Sequence, residues 1–192
     1  MAFYTQVDNT TNLIAQSLIW YDTPPDDGPG SPSAYRWLPD NPPTPTLYET
    51  VTRVEPVAGD ATEIAYDVQD IPYEDAAVIA KSYINSIREE KIAAGITYDG
   101  NVYDSDLAAR ANLTATLSTV NAGVSLPGGF VWRTADNVNI VHDVTSLTAL
   151  AEAMFNHGNS CYAASWAHKA AIDALTTTAG IKVYDFDSGW PV

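Results

Sequence analysis

Basic residues are scarce in this 192-residue chain: nine lysines and arginines stand against 24 aspartates and glutamates, for a formal net charge of −15. A surface of that sign repels phosphate backbones and anionic lipids, so nucleic acid and membrane surfaces are set aside as partners. Cysteine is almost missing. Cys161 stands alone, which excludes an internal disulfide and any CxxC zinc or redox site, and a lone cysteine reads as a small buried hydrophobe. No apolar run approaches the roughly 18 residues that a membrane span needs. The N-terminus has no basic region ahead of an apolar stretch, so neither membrane insertion nor a secretory signal is expected, and the chain should be made and kept in a cytoplasm. The glycine-rich phosphate turns GxxxxGK[ST] and GxGxxG are absent, as is the GxSxG nucleophile elbow, so no nucleotide cofactor is implied.

What is present is a globular composition, 46% hydrophobic, of a length that can bury one main core with a smaller appendage. The acidic excess is spread along the chain: residues 1–70 hold eleven acids and two bases, the remainder thirteen and seven. That distribution reads as solubility, with room for a basic partner surface.

Residues 1–21 carry apolar stretches around Phe3-Tyr4 and Leu13 to Trp20, separated by the turn-forming Asp8 to Asn12, and predict a hairpin. Eight of the twelve prolines fall within residues 22–46; no regular element is expected there, and the stretch reads as a linker or an extended arm laid on a neighbour. Residues 47–70 predict a second hairpin around Ala58-Gly59-Asp60. Residues 71–192 read as one domain. Pro72, Glu74 and Asp75 mark a helix start, and Ala76, Ile79, Ala80, Tyr83, Ile84 and Ile87 form one stripe on a helix ending at Gly95. Asp99-Gly100 between Ile96 to Tyr98 and Asn101 to Tyr103 calls for a two-residue type I′ hairpin. Asp104 or Ser105 is the candidate cap of a second helix running to about Asn121, and a further hairpin joins Phe130 to Arg133 with Val138 to Val141. From about Thr145 to Thr176, Leu147, Ala151, Met154, Gly158, Cys161, Ser165, His168, Ile172 and Leu175 alternate steps of four and three, the seam of a helix bundle. Because its middle is small, a helix or bulky aromatic should approach closely there. Gly180 is expected to end the helix and Ile181 to Phe186 to add a strand. The fold class is therefore α+β: three helices packed with short antiparallel hairpins, preceded by a β-rich N-terminal region and the proline-rich arm.

Several constellations could carry chemistry, and each has a plainer reading. His157 and Cys161 are four apart on one helix, with His168 further along it, yet two ligands on one helix do not make a metal site, and packing is the favoured role. His142-Asp143 could belong to a Ser-His-Asp arrangement, but helix capping suits Asp143 better. Asp185, Asp187 and Ser188, like Asp136, Asn137 and Asn139, lack the full spacing of a calcium loop and read as turns. Among the aromatics, Trp132 and Trp166 are assigned to the core, whereas Trp20, Tyr35, Trp37, Leu38 and Trp190 are the candidate partner contacts.

Taken in order, the stretches Ile87-Arg88 through Ile92 to Gly95, then Ile96 to Asp104, Arg110-Ala111-Asn112, and Phe130 to Asn137 match in residues and in gaps. Through them Glu74 to Gly180 resembles a domain of unknown function found mainly in phage tail-fibre and tail-fibre-assembly proteins. The resemblance covers a little over half the chain. It implies a virion or assembly role and no known enzymatic activity, so it brings no catalytic residues; from the missing motifs, no cofactor is expected. The expected function is thus a structural component of a bacteriophage tail, as a fibre, fibre-attachment or adaptor subunit made in the host cytoplasm and carried in the virion. Its partners would be other tail or fibre subunits, with homo-oligomerisation open. A fibre-assembly chaperone and a host-receptor glycan-binding module are the alternatives.

Overall fold

The computed structural model describes residues 2–8, 14–21, 35–39, 42–54 and 65–191. It is α+β and divides into two compact units, Met1–Ala76 and Ala77–Val192.

In the first unit β1 (Ala2–Asp8) pairs antiparallel with β2 (Ile14–Tyr21), with register shifts between Tyr4 and Val7. On its other edge β1 pairs with β3 (Tyr35–Pro39), giving the order β2-β1-β3. That strand corrects the expectation that nothing regular runs through residues 22–46. Tyr35 to Leu38 is a run of strand formers between prolines, and an edge strand tolerates a proline because it has one side with no ladder to complete. Residues 22–34, 40 and 41 of the arm lie outside the described residues, as do residues 9–12 of the turn expected at Asp8 to Asn12 and the turn expected at 58–60. A second sheet pairs β4 (Glu49–Val54) with β5 (Ala65–Asp70) in continuous antiparallel register.

The helices follow. Helix α1 (Tyr73–Ala93) opens on Glu74 and Asp75 and closes on Lys91, charges that suit the helix dipole at each end. Of its stripe, Ala76, Ala80, Ile84 and Ile87 are buried, Ile79 is half-buried and Tyr83 is exposed. The chain leaves α1 through Gly95 at φ +97°, where a Cβ would stand 3.0 Å from the Tyr103 backbone oxygen. Only glycine fits that conformation and that approach. The buried Ser105 hydroxyl finishes the helix, donating to the Ile92 carbonyl at 2.5 Å and accepting from the Gly95 N–H at 3.2 Å. Strands β6 (Ile96–Tyr98) and β7 (Asn101–Tyr103) form the anticipated hairpin, with Asp99 at φ +47° and Gly100 at +75° as the type I′ geometry requires.

Helix α2 (Leu107–Asn121) is capped by Asp106, whose carboxylate accepts from the Ala109 N–H at 2.7 Å. The cap is therefore neither Asp104 nor Ser105, the latter being spent on the end of α1. Strands β8 (Val131–Arg133) and β9 (Asn139–Val141) close around buried Thr134, whose hydroxyl accepts from the Val138 N–H at 3.0 Å. Helix α3 (Val144–Ala174) starts with a capping box: Asp143 accepts from the Ser146 N–H at 2.8 Å and the Asp143 N–H donates to the Ser146 hydroxyl at 3.0 Å.

Along α3 the seam is buried at Leu147, Met154, Cys161, Ser165, His168 and Ile172, as the four-three spacing predicts. Leu147, Leu150 and Met154 pack with Leu113 of α2 and with Ile96 and Tyr103 of the β6-β7 hairpin; Leu117, Phe130 and half-buried Trp132 lie against that cluster. Further along, α1 runs antiparallel to α3: Lys81 is ion-paired with Asp173, Lys169 donates to Asn85 at 2.6 Å, Arg88 lies 4.5 Å over the Tyr162 ring, and His157 Nε2 donates to the Lys91 carbonyl at 2.9 Å.

The C-terminal expectation is overturned. Helix α3 ends at Ala174, Gly180 sits inside a short α4 (Thr178–Lys182), and among the described residues no strand follows it. Alternating apolar residues from Ile181 suggest a strand, but their rings find partners on helices: Phe186 meets Tyr83 edge-on at 5.3 Å and Tyr184 meets His168 at 5.7 Å.

Candidate functional site

The partners of the polar groups decide what chemistry those groups are free to do. His142 is buried with Nε2 3.1 Å from the Tyr103 hydroxyl and Nδ1 3.2 Å from the Ser146 hydroxyl. Burial holds its pKa below the ordinary histidine value, against an opposing pull from Asp143 and Asp99, and burial likewise raises that of Tyr103. Geometrically this is a serine-histidine pair. The Ser146 hydroxyl, however, is taken up by the capping box, 2.9 Å from the Asp143 carboxylate. Asp143 binds Ser146 and not the imidazole, so no carboxylate orients the ring as a hydrolase triad demands. Its carboxyl is held below the usual range by those bonds to Ser146. Capping, the role assigned from sequence, is what the contacts describe.

His168, buried on the seam, fastens the end of the chain. Its Nε2 donates to the Ser188 carbonyl at 2.9 Å, and in the neutral ring Nδ1 then accepts from the Tyr184 hydroxyl at 2.7 Å. Trp190 stacks on the imidazole with centroids 4.9 Å apart and donates its indole N–H to the Phe186 carbonyl at 2.8 Å. Trp190 was expected as an exposed anchor; it is half-buried and fixed by the fold. Asp185 accepts from the N–H groups of Asp187 and Ser188 at 3.0 and 3.3 Å, a turn of the kind read from sequence. His157 and Cys161 are close, Nε2 to Sγ 3.6 Å, but Nε2 is already committed to the Lys91 carbonyl. Burial raises the thiol's pKa, leaving Cys161 a poor nucleophile. Among the described residues no three His, Cys, Asp or Glu side chains gather around one point.

What remains open is an apolar surface along α3, flanking the side on which Arg88 of α1 covers the Tyr162 ring. Phe155 and Trp166 are 67% and 63% exposed, and Tyr162 between them is 39% exposed. At 3.6 residues per turn, positions seven and eleven apart share one face, so the three rings form a row about three turns long. Trp166 had been assigned to the core; it lies one residue past Ser165 and so points about a quarter-turn away from the seam. Beside the row runs a groove of about 350 Å³ between α2 and α3, lined by Arg110, Leu113, Thr114, Met154, Gly158 and Tyr162, among others. Contiguous exposed aromatics beside a concave apolar strip mark contact surfaces more often than idle ones. The sequence carried the signal in the seven-and-four spacing of Phe155, Tyr162 and Trp166. The other sequence candidates lie in the first unit's three-stranded sheet, Trp20 in β2 opposite Phe3 and Tyr35, Trp37 and Leu38 in β3 opposite Asp8, Gln6 and Thr5.

Residues 75–187 match the family model of DUF4376, a domain of unknown function. The chain belongs to the DUF4376 family. No curated protein and no solved structure matches it. The α2-α3 groove, the aromatic row and the His142 cluster fall inside the DUF4376 domain, whereas the His168 cluster extends past it through Ser188 and Trp190.

Proposed function

We propose that this chain is a structural component of a bacteriophage tail, a fibre, fibre-attachment or adaptor subunit that works by contacts with other tail polypeptides and performs no catalysis. The resemblance of Glu74 to Gly180 to domains of tail-fibre and fibre-assembly proteins supports the viral half of this reading. The contact half rests on one observation: Phe155, Tyr162 and Trp166 face solvent in a row beside the α2-α3 groove. Each large side chain of this kind gains about 1.5–3 kcal/mol when withdrawn from water. A net charge of −15 keeps the free subunit soluble while leaving that row uncovered.

The test is quantitative mass spectrometry of purified particles, before and after the tail fibres are stripped. A fixed copy number per particle is the expected result. Presence in infected cells but absence from particles would replace this reading with a fibre-assembly chaperone. Binding to host envelope glycans, lost on Trp37→Ala, would replace it with a receptor-binding module.

A further inference from the structure

Gly158 sits in the middle of the 31-residue α3, where glycine weakens a helix relative to alanine. Among the described residues nothing asks for it. A Cβ built there meets no atom within 4 Å, in contrast to Gly95, whose Cβ would press on a backbone oxygen. The small middle of the seam was expected to admit a close neighbour; Cys161 and Ser165 are fully buried by the chain itself, while Gly158 is left facing the groove. A helix glycine with open space above it is accounted for when the close approach comes from another molecule.

The rim supplies a second requirement. Arg110 is half-buried at the groove, and its Nε donates only to the Asp106 backbone carbonyl at 3.4 Å. Lys81 is paired with Asp173 and Arg88 with Glu89, but among the described residues Arg110 has no ion pair, although acids outnumber bases 24 to nine. A guanidinium at an apolar groove, still able to take a carboxylate in two parallel hydrogen bonds, selects an acidic partner. A second copy of the chain, bringing a whole net charge of −15, is repelled far more than a single helix that brings one carboxylate to Arg110.

We propose that the α2-α3 groove receives an amphipathic helix of another polypeptide, its apolar stripe laid between Phe155 and Tyr162 over Gly158 and a flanking carboxylate on Arg110. This deepens the reading of the protein as a contact subunit and rests on it. A third helix in the furrow between two antiparallel ones uses the spacing of ordinary helix packing, and glycine lets the backbones draw close.

The probe is a displayed library of helical 16-residue peptides, randomised at the apolar stripe and its flanks, selected on the full chain and then measured as synthetic peptides. Enriched peptides should carry Asp or Glu beside the stripe. They should lose at least tenfold in affinity to Arg110→Glu and to Gly158→Met, while Gly158→Ala weakens binding several-fold without lowering the melting temperature. Enrichment of basic or neutral flanks, binding indifferent to Arg110→Glu and Gly158→Met, or no enrichment above a scrambled library would overturn the proposal. These outcomes are independent of whether the chain is found in particles, so the groove and the viral assignment fail separately.

Discussion

Gly95 and Gly158 are both glycines in the DUF4376 domain, and the contrast between them separates what the fold explains from what it does not. At Gly95 the chain's own atoms require glycine: φ is +97° and the Tyr103 oxygen lies 3.0 Å from the position of a Cβ. At Gly158 the backbone is helical and the space above it is empty. The first glycine belongs to folding. The second weakens a long helix beside a groove, a local cost that natural sequences retain where something else is served.

The largest effect that sharpens this contrast is expected from Gly95→Ala. Both the backbone conformation and the contact turn unfavourable, a loss of about 2–4 kcal/mol, read as a lower urea midpoint. An unchanged midpoint would remove Gly95 as the reference case. Next comes His168→Ala, which deletes two hydrogen bonds and the face on which Trp190 stacks. About 2 kcal/mol should be lost, with hydrogen exchange rising across residues 184–190 and not across the β6-β7 hairpin. Equal acceleration in both places would mean that the clamp is not local.

A smaller effect is the pH dependence that His142 confers. Burial depresses the folded-state pKa of His142, with Tyr103, Asp143 and Asp99 as the titratable groups around it. The unfolded chain therefore binds the proton more readily, so this contribution to stability is full above about pH 6.5 and is lost as pH falls below it. Asp143 and Asp185, whose carboxyls are held low by N–H and hydroxyl bonds, act in a more acidic window, below the ordinary aspartate pKa. Melting temperature followed from pH 7.5 to 5, as a range of about one unit either side of the histidine value, should fall in the wild type and flatten in His142→Gln. The smallest effect has the opposite sign: Gly158→Ala should stabilise the free chain by about 0.5–1 kcal/mol, a rise of roughly 2 °C. A decrease would show that glycine is needed inside the fold.

Much of the domain could be read before its structure because its determinants are local. Asp99-Gly100 dictates its turn by backbone sterics, Asp143 caps the residues immediately after it, and the four-three spacing of α3 marks its buried face. All but one of the errors below share one cause, tertiary contacts that no local pattern contains. Ile181 to Phe186 alternates like a strand, yet Tyr184 and Phe186 are drawn to His168 and Tyr83. Ser105 looks like a helix cap but serves the end of the preceding helix. Tyr35 to Leu38 gains a partner in β1 that its proline-rich surroundings conceal. Trp166 was misplaced for a different reason: residue type outweighed position, although its place one step beyond Ser165 already put it off the seam. The groove itself could not be read from sequence, since it depends on how α2 lies against α3.

The most direct test of the account is hydroxyl-radical footprinting of the chain free and assembled in purified particles, followed at Phe155, Tyr162 and Trp166. All three rings should be labelled in the free chain and strongly protected in the particle, while Val183, exposed and outside the row, stays labelled in both. Incorporation into particles with the aromatic row labelled as fully as in the free chain would contradict the claim that this surface makes the contact.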